Sequence, residues 1–172
     1  MNLKKMKTFW IWGLFPEKEK YLLNKIKDQV QTELISPKFD LHITLSGPYS
    51  KIDKNFISKL KTFGEENYSI FLNLNRYDFR QQKYKSFYIS VNNSDQLNNI
   101  RRKFFELKKF DLEKEYSPHI SLTYGIHKIS LKKELIFKLP KFKTKIKMSK
   151  IGLVEVNEKE NIWKILEIFN LN

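Results

Sequence analysis

Two of the three histidines in this chain head near-copies of one short pattern. Asp40-Leu41-His42-Ile43-Thr44-Leu45-Ser46-Gly47 and Ser117-Pro118-His119-Ile120-Ser121-Leu122-Thr123-Tyr124-Gly125 share His-Ile-(Thr/Ser)-Leu followed by a glycine. Both alternate polar and apolar residues, the mark of a half-buried β-strand. Residues two apart on a strand point the same way, so His42 shares a face with Thr44, and His119 with Ser121. Each half of the chain thus offers an imidazole beside a hydroxyl. An imidazole with a pKa near 6.5 can take or give a proton at working pH, and a hydroxyl can donate to a phosphoryl oxygen. The pattern equips the chain to hold a phosphate and move protons around it.

Two other readings fit the same residues. The histidines can be core residues bonded to neighbouring hydroxyls, in which case their loss costs stability and not activity. They can also line a cleft that grips an RNA 3′ end without turnover. The amphipathic alternation favours a wetted surface or cleft over a core.

The elements that must position these strands follow from periodicity. Thr8–Leu14 reads as an aromatic-rich strand, and Pro16 opens a helix at its first helical position, with Leu22, Leu23, Ile26, Val30 and Leu34 at helical spacing up to Pro37. The first histidine strand spans Phe39–Ser46. A second helix carries Ile52, Phe56, Ile57, Leu60 and Phe63 and closes near Gly64. Strands at Ser69–Tyr77 and Tyr84–Val91 flank the polar connection Asp78–Lys83. Ser94 caps a third helix with Leu97, Ile100, Phe104 and Leu107 along one side. The second histidine strand is Pro118–Tyr124, and a short helix lies near Leu131–Ile136. Ile146–Val156 and Ile162–Phe169 close the chain as a hairpin around Asn157-Glu158-Lys159-Glu160.

This succession repeats strand, helix, histidine strand, helix, strand, and then adds a last strand. It predicts an α+β, duplicated, bilobal fold: two pseudo-symmetric lobes of antiparallel sheet with outer helices around a central cleft. Thr8–Leu14 matches Tyr84–Val91, and Phe39–Ser46 matches Pro118–Tyr124. Residues 1–172 fit a single domain of this kind.

Composition narrows the chemistry. The chain has no cysteine, which removes thiol nucleophiles, thiolate metal sites and disulfides and is compatible with a reducing cytoplasm. Three histidines without a local carboxylate cluster give no recognisable metal-ligand set. No apolar run reaches the length of a membrane span. The basic start Met1–Lys7 resembles a signal n-region, but the apolar stretch from Phe9 to Phe15 is too short and no cleavage site follows, so the chain reads as soluble and unprocessed. The net charge of +14 attracts anions. Of the 33 basic residues 29 are Lys and 4 are Arg, and alanine is absent, as an A/T-rich genome would write. Most of the excess charge is assigned to that bias and to solvated helix faces, including Arg101-Arg102 on the third helix.

The paired motifs resemble those of the two-histidine phosphoesterase superfamily, and within it the cyclic nucleotide phosphodiesterase branch. The opening Phe9-Trp10-Ile11-Trp12-Gly13-Leu14-Phe15-Pro16-Glu17, the run Phe39-Asp40-Leu41-His42-Ile43-Thr44, the unbroken Pro118–Gly125 motif and the closing hairpin with Trp163 carry the likeness. One departure is Leu41, where a proline often precedes the histidine. The resemblance implies a central groove lined by His42, Thr44, His119 and Ser121, and metal- and cofactor-free opening of a cyclic phosphate by a monomer. The implied substrates are a 2′,3′-cyclic nucleotide or ADP-ribose cyclic phosphate, with RNA ends, 2′–5′ oligoadenylate and cyclic oligonucleotides as alternatives. On that reading His119 takes the proton from the attacking water and His42 protonates the leaving ribose oxygen. Tyr124 and Trp12 are candidates for substrate contact, Tyr124 at phosphate or base and Trp12, with Trp10, as a stacking surface; for each the alternative is a place in the core. His127 reads as a loop residue.

Overall fold

The computed structural model describes residues 7–109 and 116–172; the basic residues 1–6 at the N-terminus lie outside them. In chain order the elements are β1 (Thr8–Leu14), α1 (Glu17–Glu33), β2 (Ile43–Tyr49), α2 (Lys54–Glu66), β3 (Ile70–Phe79), β4 (Phe87–Val91), α3 (Asp95–Leu107), β5 (His119–Thr123), α4 (Ile129–Lys138), β6 (Lys145–Met148), β7 (Lys150–Asn157) and β8 (Ile162–Asn170). The strands form an eight-stranded antiparallel sheet in the order β6-β3-β4-β5-β2-β1-β7-β8.

The duplication is visible in that order. The histidine strands β2 and β5 sit side by side at the centre, β1 and β4 flank them, and β7 and β3 come next. The lobes, however, are not the two halves of the sequence. β3 ends the first half yet pairs with β4, and β7 belongs to the second half yet pairs with β1. The single strand expected at Ile146–Val156 is broken for this exchange: β6 pairs with β3, and after Ser149 the chain crosses to β1 as β7. Ser149 donates its N–H to the Leu14 carbonyl, 3.1 Å away, which fixes the crossing point.

The helices exchange as well. α1 packs on β5 and α3 on β2, while α2 packs on β8 and α4 on β3. The buried stripes follow helical spacing: Leu23, Ile26 and Val30 on α1, Phe56, Leu60 and Phe63 on α2, and Leu97, Ile100 and Phe104 on α3. They close over one face of the sheet, where Ile11, Ile43, Leu45, Ile89, Ile120, Leu122, Ile151 and Leu153 are at most 1% exposed. Asp53 caps α2 by accepting from the Phe56 N–H at 2.7 Å, and Ser94 caps α3 by accepting from the Leu97 N–H at 3.2 Å. Each such cap contributes about 1 kcal/mol.

Several boundaries differ from the periodicity reading. Pro16 is the N-cap of α1, in extended backbone, and its carbonyl accepts the Lys20 N–H. Helix α2 runs past Gly64 to Glu66. That glycine serves packing: a Cβ there would lie 2.6 Å from the Asn170 carbonyl oxygen at the end of β8. The hydrogen-bonded part of β2 starts at Ile43 and not at Phe39, and β4 starts at Phe87, leaving Tyr84–Ser86 in the connection from β3.

Candidate active site

The site begins with the register of β2 and β5. Their recorded ladder pair is Ile43 with Ile120, the central residues of the two motifs. In antiparallel register this sets His42 beside Ser121 and Thr44 beside His119, on the face opposite the helices. The two imidazoles are then diagonal neighbours, with Cβ atoms about 7–8 Å apart or somewhat less. Both rings, both hydroxyls and Tyr124 line one cleft of about 750 Å³.

The two rings are held in the same way. His42 Nδ1 donates to the Asp40 carbonyl at 2.7 Å, and His119 Nδ1 to the Ser117 carbonyl at 2.9 Å. A carbonyl only accepts, so each Nδ1 carries a proton; the His119 ring has the Tyr84 carbonyl as a second backbone partner, which His42 lacks. In both motifs the partner is the residue two before the histidine. Trp12 stacks on the His42 ring, centroids 3.4 Å apart and planes within 2°, and Phe39 meets it edge-on at 6.3 Å. Tyr88 meets the His119 ring at 5.1 Å and 60°.

Burial disfavours charge on both imidazoles. It pushes His42 down to about 3, against the opposing pull of its bond to Asp40, with His119 and Lys27 adding repulsion. Burial pushes His119 down to about 4, its bonds to the Ser117 and Tyr84 carbonyls opposing it and Lys85 adding to it. At neutral pH both rings are therefore neutral in the free protein.

The hydroxyls are not equivalent. Ser121 Oγ donates to the Tyr84 carbonyl at 3.1 Å, while Thr44 faces the cleft and its carbonyl accepts from Tyr116 Oη at 2.6 Å. Burial raises the Tyr124 hydroxyl far above its ordinary range, so it is a donor at all working pH values, and Ser121 is its hydrogen-bond partner.

The cleft lining also holds four cations, Arg80, Lys83, Lys85 and Arg101, and no carboxylate among the described residues. None of the four is in the motifs. Arg101 is not on the solvated side of α3, where the sequence reading puts it. Its Nε donates to the Leu45 carbonyl at 3.1 Å and its guanidinium lies 3.4 Å over the Tyr116 ring. On the other side of the pseudo-two-fold, Gln31 of α1 donates to the Leu122 carbonyl at 2.9 Å. Leu45 and Leu122 occupy the same motif position, so each exchanged helix is pinned to the opposite histidine strand. A signal for Arg101 exists in the composition. In a chain with 29 Lys and 4 Arg, two of the arginines stand in this cleft, where a flat guanidinium can stack and bond at once.

The motif glycines take backbone that other residues rarely adopt. Gly47 has φ +118° and Gly125 has φ +111°, backbone that favours glycine. A Cβ on Gly47 would lie 2.9 Å from both the Phe9 carbonyl and the Trp10 ring. Trp12 is 3% exposed, with His42 against one face of its ring. His127 has no motif role: its Nε2 bonds to the Tyr124 carbonyl at 3.1 Å. No cluster of three His, Cys, Asp or Glu residues suited to a metal occurs among the described residues, and none of their helices is long and apolar enough to cross a membrane.

No family model and no curated protein matches the sequence. Solved structures do match the fold. Escherichia coli LigT complexed with 3′-AMP aligns over 97% of this chain and 99% of its own, with TM-score 0.60 and 9% identity. A protein described as a phosphoesterase aligns over 96% of this chain and 99% of its own, with TM-score 0.62 and 13% identity. TT0787 of Thermus thermophilus aligns over 95% of this chain and 97% of its own, with TM-score 0.60 and 13% identity. The likeness is one of fold, and it spans nearly the whole of each chain.

Proposed function

We propose that this chain is a two-histidine phosphoesterase that opens the cyclic phosphate of a nucleotide to a phosphomonoester without a metal. The observation that carries this reading is the pair of imidazoles, each bonded through Nδ1 to the carbonyl two residues before it, in one cleft lined by four cations.

The reaction adds water across one P–O bond. His119 Nε2 takes a proton from the attacking water, whose oxygen forms the new bond to phosphorus. The ribose oxygen leaves from the opposite side and takes a proton from His42 Nε2. Thr44, Ser121 and the cleft cations hold the non-bridging oxygens as charge builds on them. The acid must begin protonated although burial keeps both rings neutral in the free protein. The negative charge of the bound phosphate restores that proton, because an anion beside an imidazole raises its pKa. Trp12 and the Asp40 carbonyl keep the His42 ring from turning as its charge changes.

The fold neighbours support the reading in part, since LigT has been solved with 3′-AMP, ATP and NADP+. The cations add a detail. A cyclic mononucleotide carries one negative charge, and four cations exceed that need, which favours a longer substrate such as the cyclic phosphate at an RNA 3′ end. The test is a turnover panel in excess chelator: 2′,3′-cyclic mononucleotides, ADP-ribose cyclic phosphate, RNA ending in a cyclic phosphate, 2′–5′ oligoadenylate and cyclic dinucleotides. Turnover of a 2′,3′-cyclic phosphate supports the proposal. Tight binding of RNA ends with no turnover of any member replaces it with the binding-module reading.

A further inference from the structure

Next to the cleft lies a smaller hollow of about 150 Å³, walled by Trp10, Trp12, Tyr84, Tyr124 and Trp163 with Glu158 at its rim. It shares His42 and Thr44 with the cleft, so a phosphate held there has its next chemical group directed into the hollow. The walls brace one another: Tyr84 meets Tyr124 edge-on at 5.4 Å, and Trp163 lies 5.3 Å from Tyr124 and 6.3 Å from Tyr84. Phe39 stacks behind Tyr124 at 3.9 Å. A hollow of this size with braced aromatic walls suits one flat ring system; Trp12 and Tyr124 are buried, and the half-buried Trp10, Tyr84 and Trp163 offer the faces on which a nucleobase can stack.

Glu158 decides which one. It is the first residue of the turn between β7 and β8, where its carbonyl accepts the Asn161 N–H at 3.4 Å and Asn161 closes the turn at φ 52°. It is the one carboxylate on either lining among the described residues; the four cations line the cleft and none lines the hollow, although Lys83 reaches over the Tyr84 wall at 5.0 Å. With the histidines and cations on the cleft lining and Glu158 on that of the hollow, a nucleotide with its phosphate at the histidines has its base toward Glu158. A carboxylate accepts and never donates. Guanine offers N1–H and N2–H side by side, one for each carboxylate oxygen. Adenine and cytosine offer one amino donor beside a ring acceptor nitrogen, and uracil one N–H between two carbonyls.

We infer that the hollow is a nucleobase subsite selective for guanine, with Glu158 reading the donor edge of the base. The inference rests on the reading of the cleft as a phosphate site, and its test separates the two. Binding of the 3′-monophosphates of guanosine, inosine, adenosine and uridine to the full chain is measured by tryptophan fluorescence, with inorganic phosphate as competitor. Guanosine should bind at least about tenfold tighter than uridine, the scale of a charge-assisted hydrogen bond, with inosine between them for want of the 2-amino group. Glu158→Gln, in an exposed turn, should cut the guanosine advantage to about threefold or less. Equal affinities in the wild type, or a guanosine preference that survives Glu158→Gln, overturns the subsite. If phosphate competes but the bases do not differ, the subsite fails and the phosphate site stands. If the bases differ but phosphate does not compete, the phosphate site fails and the base selectivity stands.

Discussion

Ile43 and Ile120 face each other across the seam between β2 and β5, and that pairing places each histidine beside the hydroxyl of the other motif. Their own side chains are fully buried under the helices. A one-residue slip of either strand at the seam would send that strand's imidazole into the core. The apolar residue between histidine and hydroxyl therefore sets the geometry of the site.

Phosphate binding should take up a proton. Both rings are neutral near pH 7 in the free protein, pushed to about 3 and about 4 by burial, and the bound anion raises one of them. A non-hydrolysable ligand such as guanosine 3′-monophosphate should then bind up to about tenfold tighter for each unit the pH falls, over the window between the free and bound pKa values. Calorimetry in buffers of different ionisation heat measures the uptake directly. Zero proton uptake contradicts this picture of the acid.

The same burial makes stability depend on pH. The folded-state pKa of His42 is depressed and its unfolded value is about 6.5, so above pH 6.5 the ring is neutral in both states. As pH falls below that, the unfolded chain gains a proton that the folded one refuses, and stability is lost at up to about 1.4 kcal/mol per pH unit until the folded pKa is reached. His42→Asn keeps an amide donor for the Asp40 carbonyl and removes the titration. Denaturant unfolding should show the wild type losing a few kcal/mol relative to this variant between pH 6.5 and 4. Parallel curves for the two proteins would show that His42 is not the group responsible.

The acid and base are separated by the leaving group. A nucleoside p-nitrophenyl phosphodiester releases nitrophenolate, which needs no proton. His42→Ala should lose much less rate on it than on a cyclic phosphate, and His119→Ala should lose about equally on both, by about 10²-fold or more. The reverse pattern exchanges the two roles.

The hydroxyls should matter less than the rings, and unequally. Ser121 already donates to the Tyr84 carbonyl, while Thr44 has the cleft before it. Thr44→Val should cost about tenfold in kcat, as one of several oxyanion donors, and Ser121→Ala less. Steady-state kinetics on a cyclic phosphate reads both, and a Ser121→Ala loss larger than that of Thr44→Val would reverse their ranking.

Much of this is legible in the sequence, for identifiable reasons. The alternation around His42 and His119 marks a strand with one wet face, and the repeated order of elements marks the duplication. What stays hidden depends on contacts distant along the chain. The exchange of β3 and β7 between lobes turns on a break at Ser149; the alternation slips by one at Ser149-Lys150, but which strand each side of the slip pairs with depends on residues far along the chain. Arg80, Lys83 and Lys85 come from a polar connection, and Arg101 from a helix that looks solvated until it is packed on the opposite strand. Gly64 looks like a helix stop because an approach to Asn170, more than a hundred residues away, cannot be seen locally.

The most direct measurement of the central claim is turnover of a nucleoside 2′,3′-cyclic phosphate, in excess chelator, by the wild type, His42→Ala, His119→Ala and the double variant, each verified as folded by circular dichroism. The account predicts wild-type turnover that the chelator does not reduce, a loss of at least about 10²-fold in kcat for each single variant, and a double variant scarcely slower than either. Near-full turnover by either single variant, or wild-type activity abolished by chelator and restored by zinc or manganese, would contradict it.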